Sequence, residues 1–520
     1  MQMLRAATWA ALFAFLTASS ALAQDIALTA RDGSVEISGT LLGYDGEFYR
    51  VDTEFGVLTV DGSGVNCEGP ACPDLENFVA KVAFSGARTM AEVLMPALIE
   101  AFGDRAGYRV ERLPADSPQR ALYRLIEEKT GILAAEFTLH SVTSAEGFAD
   151  LLADDADVVL SLREVTRQEV TLGREIGLGR LSDPNRSRVI ALDAMVPLVA
   201  PWNPVRAIQI DDLGKIFAGE IDNWNQIGGQ DAPIALHMRD AGSGLAARFE
   251  RQVMGPTQRK LASNVATHAT NAELAAAVAA DPYAIGIGAQ SAIGQSKPLA
   301  LTGACGFFAS ATPQALQTED YPLTAPLFLY IPARRLPALA REFLAYVQSP
   351  PAQMVVRRAG FVDQTLGEIE LRVQGDRLSN AIRAAGPEIS LADLQQMVKT
   401  LDGARRLSLT FRFEGGSTAL DAQSRSNVLL MARALETGVF DQRALIFAGF
   451  SDGAGAAELN ERLSGRRAAV VRDAILKAAP TIDPSKLALE LAALGEAMPM
   501  ACDDTDWGRE LNRRVEVWVR

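Results

Sequence analysis

Oxyanions are held by free backbone N–H groups at helix starts, by hydroxyls and by arginine, and three segments of this chain combine those groups. They are Ser85-Gly86-Ala87-Arg88-Thr89, Ser161-Leu162-Arg163 and Arg239-Asp240-Ala241-Gly242-Ser243-Gly244. Each follows a short strand-like run: Val79 to Phe84, Asp157 to Leu160 and Ile234 to Met238. Helical runs follow the first and third, Met90 to Phe102 and Leu245 to Val253. A strand that ends where a helix begins aims N–H groups and the positive end of the helix dipole at one spot. Serine and glycine at such places commonly do no more than cap a helix or close a turn. Three such loops in one α/β segment shift the reading towards an anion site. His237 stands two residues before Arg239, so the two share a strand face. It reads as a satisfied structural histidine.

Catalysis has weaker support. Neither the HExxH helix of a zinc hydrolase nor a phosphate-cradling GxxxxGK[ST] loop occurs, and the three histidines offer little for a metal site. A Ser-His-Asp arrangement is set in space, which spacing along the chain leaves open. A phosphoester hydrolase therefore stands as the lesser alternative. No cofactor or metal is expected.

To present those loops, residues 78–365 must alternate strands with amphipathic helices, the pattern of an α/β unit with largely parallel sheets. Residues 25–66 differ: four alternating stretches are separated by Asp32-Gly33, Asp45-Gly46 and Asp61-Gly62, a hairpin signature. With Cys67 and Cys72 this makes a small β module over 25–75, without catalytic residue types, read as an adaptor. Residues 366–404 read as a helical connector, with Pro387 between the runs Asp376–Ile382 and Leu391–Leu401. Lacking a long Gly/Ser or Pro-rich linker, it predicts limited domain reorientation. Residues 405–520 read as β-α-β-α-β, an α+β sandwich, with strands at Leu407–Phe413, Leu445–Phe450 and Arg514–Val519.

The 520 residues exceed one hydrophobic core, and the net charge of −14 argues against nucleic acid as a partner. Residues 1–23 read as a secretory signal: Arg5, then the apolar run Ala6 to Ala18, then Ala21-Leu22-Ala23 before Gln24. No cysteine lies near that cleavage site, so a lipid anchor is not expected. Export to an oxidising compartment permits disulfides. Cys67-Glu-Gly-Pro-Ala-Cys72 contains its own turn, and Cys67–Cys72 is the favoured pair. Whether Cys305 and Cys502 pair across the two halves stays open.

Residues 78–365 resemble a periplasmic substrate-binding protein of the phosphate-binding type, a two-lobed α/β fold (type II). The resemblance rests on Ser85 to Thr89, Val189 to Asp193 with Val199 to Val205, Leu213 to Trp224 (LGKIFAGEIDNW), Arg239 to Leu245 and Tyr321-Pro-Leu323. It implies a small inorganic oxyanion held by Ser85, Gly86, Ala87, Thr89, Ser161, Arg239, Ser243 and Gly244. The family pattern Arg-x-Asp-x-Ser-Gly-Thr is broken here by Ala241 and Leu245, with Asp240 one place early. A protonated phosphate benefits from a carboxylate acceptor that sulfate would be repelled by, so the change loosens the expectation of phosphate itself.

Residues 405–520 resemble the OmpA-like peptidoglycan-binding domain, through Gly449-Phe-Ser-Asp452-x-x-Gly455, Asn460-x-x-Leu463-Ser464-x-x-Arg467-Ala468 and Asn512-Arg513-Arg514-Val515. Phe450-Ser451 replaces the usual His-Thr. The resemblance implies that Asp452 and Arg467 clamp the zwitterionic end of a peptidoglycan stem peptide, one taking the ammonium and the other the carboxylate. The whole then reads as a periplasmic oxyanion-binding protein tethered to the cell wall or outer membrane. Its further partner is left open, an inner-membrane transporter or a signalling protein, the latter making it a sensory scaffold.

Overall fold

Strands buried on both faces are rich in apolar residues, and the longest strand here, Ser187–Val199 (SRVIALDAMVPLV), is apolar apart from Ser187, Arg188 and Asp193. The computed structural model describes residues 25–520 apart from Glu76, Pro387 and Gly416. The signal segment read over 1–23, and Pro387 of the connector, lie outside the described residues.

The first half of Ser187–Val199 pairs with Thr324–Tyr330, and its second half pairs with Ala284–Ala289. One strand thereby belongs to two lobes and forms their hinge. On the first side Thr324–Tyr330 continues into Val158–Ser161, Ala80–Ala87 and Leu133–Val142, with an outer hairpin of Arg120–Glu127 and Tyr108–Pro114. On the second side Ala284–Ala289 continues into Ala235–Arg239 and Ala266–His268, both parallel steps. The loops that follow Ala80–Ala87, Val158–Ser161 and Ala235–Arg239 converge between the lobes.

Ahead of the lobes, Ile26–Ala30, Glu36–Tyr44, Phe48–Thr53, Gly56–Asp61 and Val65–Glu68 form an antiparallel sheet around Ile26, Leu28, Tyr49 and Val51. A Cys67–Cys72 disulfide closes the end of this sheet. Arg335 reaches Asp45 at 2.9 Å, and both Arg335 and Arg341 bond Glu47, so the small sheet is seated on the first lobe.

The C-terminal sheet runs in the order Glu368–Glu370, Arg405–Arg412, Arg514–Val519, Arg443–Gly449, Leu487–Ala493. Helices Ala422–Glu436 and Ala457–Ala478 cover it. Three features depart from the sequence reading. The sheet across the lobes is mixed rather than largely parallel, since Ser187–Val199 and Thr324–Tyr330 run antiparallel to the strands beside them and the outer hairpin is antiparallel too. The connector over 366–404 does not begin as a helix: Glu368-Ile369-Glu370 alternates, buries Ile369 and adds a strand beside Arg405–Arg412. Leu487–Ala493 (LALELAA) is made of helix formers, yet it pairs in parallel with Arg443–Gly449 along its whole length. Sheet context overrides the local preference there.

The second lobe and the C-terminal unit are joined covalently by Cys305–Cys502. Beside that bond Arg406 pairs with Asp320 at 2.5 Å, and Thr410 donates to the Thr318 carbonyl at 2.7 Å. Burial pushes the Glu319 carboxyl up to about 8, outweighing the Arg412 guanidinium 3.3 Å away. A folded-state value above the unfolded one means that stability is full below about 4.5 and falls as pH rises towards about 8. Glu319→Gln should remove that slope, worth at most ~1.4 kcal/mol per pH unit. Thermal midpoints of the two proteins between pH 5 and 8 check this; parallel profiles would remove Glu319 from the joint's pH response.

Candidate anion cleft and C-terminal ligand clamp

Between the lobes lies a cavity of roughly 50 Å³, far below the ~300–1,000 Å³ of a drug-sized ligand's pocket. Of the residues read from the sequence, Ala87, Thr89, Arg239, Ser243 and Gly244 line it. Ser85, Gly86 and Ser161 stand behind it. Ser85 is buried and gives its hydroxyl to Asp150 at 2.5 Å. Gly86 has φ +139°, and a Cβ there would lie 2.0 Å from the Leu160 carbonyl, so the residue lets two strands approach. Ser161 is fully buried, donates to the Arg163 carbonyl at 2.7 Å and thereby turns the chain so that Leu162 reaches the cavity.

Arg239 is positioned by three acceptors: the His268 carbonyl at 3.1 Å, Asn271 Oδ1 at 2.6 Å and the Ala269 carbonyl at 2.6 Å. Ser243 caps the helix Gly244–Phe249 by accepting from the Ala246 N–H at 3.1 Å, which leaves its own hydroxyl proton to donate. His237 lies outside the lining, its Nδ1 2.9 Å from His268 Nε2; burial and that neighbour lower its pKa.

Other lining residues were not singled out from the sequence. Thr143 and Ser144 start the helix Ser144–Leu152, where Thr143 and Glu146 form a capping box. That T-x-x-E signal was readable. Arg248 lies in the second lobe, with its Nη1 donating to the Leu162 carbonyl of the first at 3.2 Å; burial lowers its pKa to about 10. Asp193, on the hinge strand, is the one carboxylate among the described lining residues, and burial raises its pKa. Ala194 N–H, Ser291 N–H and the Ser291 hydroxyl all donate to it. Arg88 and Arg239 face each other across Asp240, at 4.0 and 3.8 Å from its carboxylate.

In the C-terminal unit Asp452 receives Arg513 Nη1 at 2.6 Å. Arg467 is 2% exposed, and its Nε and Nη1 have no hydrogen-bond partner among the described residues. Its guanidinium stands over the Phe413 ring at 5.2 Å. Burial, then Arg513, lower its pKa against the opposing pull of Asp452. A buried guanidinium with unused donors beside a carboxylate fits a ligand that carries both charges.

The model of the PBP superfamily domain matches residues 77–351, and that of the OmpA family matches residues 412–513. The first match covers more than half of the sequence. The chain belongs to the PBP superfamily. It carries a C-terminal OmpA domain beside its PBP domain. The phosphate-binding protein PstS of Bacillus subtilis is 31% identical over 179 residues, 34% of this chain and 57% of that protein, so the chain spans little more than half of that relative. Among solved structures, an ABC-type phosphate transport receptor from Vibrio cholerae is 21% identical, with a TM-score of 0.41 over 54% of this chain and 99% of its own. The peptidoglycan-associated lipoprotein from Burkholderia pseudomallei is 23% identical, with a TM-score of 0.19 over 21% of this chain and 89% of its own.

Two arrangements in these domains invite a catalytic reading, and geometry opposes both. In the PBP domain Ser85, His140 and Asp150 meet, but His140 Nδ1 faces Asp150 at 2.8 Å and Ser85 at 3.4 Å. A triad needs the serine on the opposite ring nitrogen from the aspartate. In the OmpA domain Gly449-Phe450-Ser451-Asp452-Gly453 has G-x-S-x-G spacing. There the helix does not begin until Ala457, Ser451 is buried, and all three histidines lie in the PBP domain.

Proposed function

We propose that the protein is a periplasmic binding protein for a small tetrahedral oxyanion, phosphate or a close analogue, held at the cell wall by its OmpA domain. The observation that carries this reading is the cleft. Arg88, Arg239, Arg248 and a capped helix start surround a cavity of roughly 50 Å³ whose lining contains the single carboxylate Asp193. An anion of that size replaces hydration with directed donors at little reorganisation cost. The wall attachment rests on Arg467, buried with donors to spare. Among the described residues no helix is long and apolar enough to cross a membrane.

Calorimetry with phosphate, sulfate and small carboxylates tests the ligand class. The expected outcome is saturable binding of phosphate and no turnover of a chromogenic phosphoester by the same preparation. Hydrolysis would put the phosphoester hydrolase ahead of the binding reading.

Discrimination should be weak. Ala241 removes the family's carboxylate, Asp193 already accepts from Ser291 and Ala194, and Asp240 lies outside the cavity lining. Phosphate and sulfate should bind within about a thousandfold of each other, ~4 kcal/mol. A larger preference for phosphate would mean that Asp193 or Asp240 accepts the ligand proton.

A further inference from the structure

The OmpA domain makes contacts on both sides of the hinge. To the second lobe it is tied by Cys305–Cys502, by Arg406 on Asp320 and by Thr410 on the Thr318 carbonyl. To the first lobe it is tied by its helix Ala422–Glu436. The Ala422 N–H at that helix start donates to Glu164 Oε1 at 3.1 Å, and Ser426 Oγ accepts from the Val189 N–H on the hinge strand at 3.1 Å. Arg433, near the other end of the same helix, donates to Gln348 at 3.2 Å. Glu164 is two residues beyond Leu162, which lines the cleft and receives Arg248 from the opposite lobe. Ala422, Ala501, Cys502 and Leu511 pack into the same apolar cluster as hinge residues Val189, Met195 and Val196.

A carboxylate set against a helix N-terminus is a favourable contact, and the hydrogen bonds to Val189 and Gln348 add to that hold. The second-lobe tie is covalent. Rotation of the lobes about Ser187–Val199 would therefore slide one lobe along the OmpA domain while the other stays fixed to it.

We propose that the OmpA domain is a brace across the hinge that sets the resting aperture of the anion cleft. Ligand exchange then depends on the joint between the two domains as well as on the cleft residues. This rests on the anion-binding reading for its kinetic consequence, although the brace itself is a property of the ligand-free molecule.

The test uses the full mature chain and two released forms, Cys305→Ser/Cys502→Ser on the second-lobe side and Glu164→Ala/Ser426→Ala on the first. Small-angle scattering is recorded with and without inorganic phosphate, and phosphate exchange is followed by stopped flow. The wild type should keep one profile in both conditions. The released forms should expand when ligand-free and contract with phosphate, with exchange severalfold faster than in the wild type. Should the disulfide variant fail to fold, the Glu164/Ser426 variant tests the same prediction from the other lobe. Released forms that match the wild type, or a wild type that opens as far as they do, would overturn the brace. Absence of phosphate binding in every form would overturn the anion reading instead, since the ligand-free profiles alone still decide the brace.

Discussion

Replacing Arg239 by alanine is expected to lower oxyanion affinity by about tenfold to several-hundredfold, since a charged hydrogen bond contributes ~1.5–3 kcal/mol, and more where the partner is left buried. The guanidinium enters the cleft already oriented by the His268 and Ala269 carbonyls and by Asn271. Little ordering entropy is then lost on binding, which is the reason for expecting a large effect. Arg239→Lys separates charge from shape. Lysine keeps the positive charge and loses the planar fork that three acceptors hold, so it should recover only part of the affinity. Calorimetry, with circular dichroism to confirm folding, reads both variants. Unchanged binding in a folded Arg239→Ala protein would remove this residue from the site. Phosphate should also raise the unfolding midpoint of the wild type by mass action, and by less in the variant.

Much of this architecture is legible along the chain because its signals are local. Glycine after aspartate marks the turns at Gly33 and Gly46, which take φ +73° and +92°. A strand run ending in Arg239 to Ser243 marks the loop proposed to hold the oxyanion. What local signals leave out is which side of a strand end faces the cleft. Ser85 and Ser161 have the right chemistry, yet the pleat and a tight turn direct their hydroxyls to Asp150 and to the Arg163 carbonyl. Asp193 and Arg248 have the opposite history. One lies within a mostly apolar strand and the other within a short helix, and only the meeting of two lobes brings them to one cavity. The Cys305–Cys502 bond belongs to the same class, since its partners are 197 residues apart. So does Arg513: adjacent basic residues are common, and nothing in their spacing selects the one that meets Asp452 at 2.6 Å.

That ion pair sharpens what is expected of wall binding. Either Asp452→Ala or Arg467→Ala should release the protein from sedimented peptidoglycan without unfolding the OmpA domain. Arg467 supplies unused donors for a carboxylate, while Asp452, steadied by Arg513, supplies the acceptor for an ammonium. A stem-peptide terminus carries both charges, so each substitution removes one end of the same grip, costing about tenfold or more in affinity. The double variant should be little weaker than the singles, because two side chains that hold one ligand group are not independent. Arg513→Ala is the informative control. It leaves both proposed ligand contacts in place but frees the Asp452 carboxylate to move, so retention should fall less than in either single variant. Removing Arg513 also removes the like charge that acts most strongly on Arg467, which partly offsets that loss. Full retention of both Asp452→Ala and Arg467→Ala would instead assign the pair to holding the domain together, and wall attachment would need another surface.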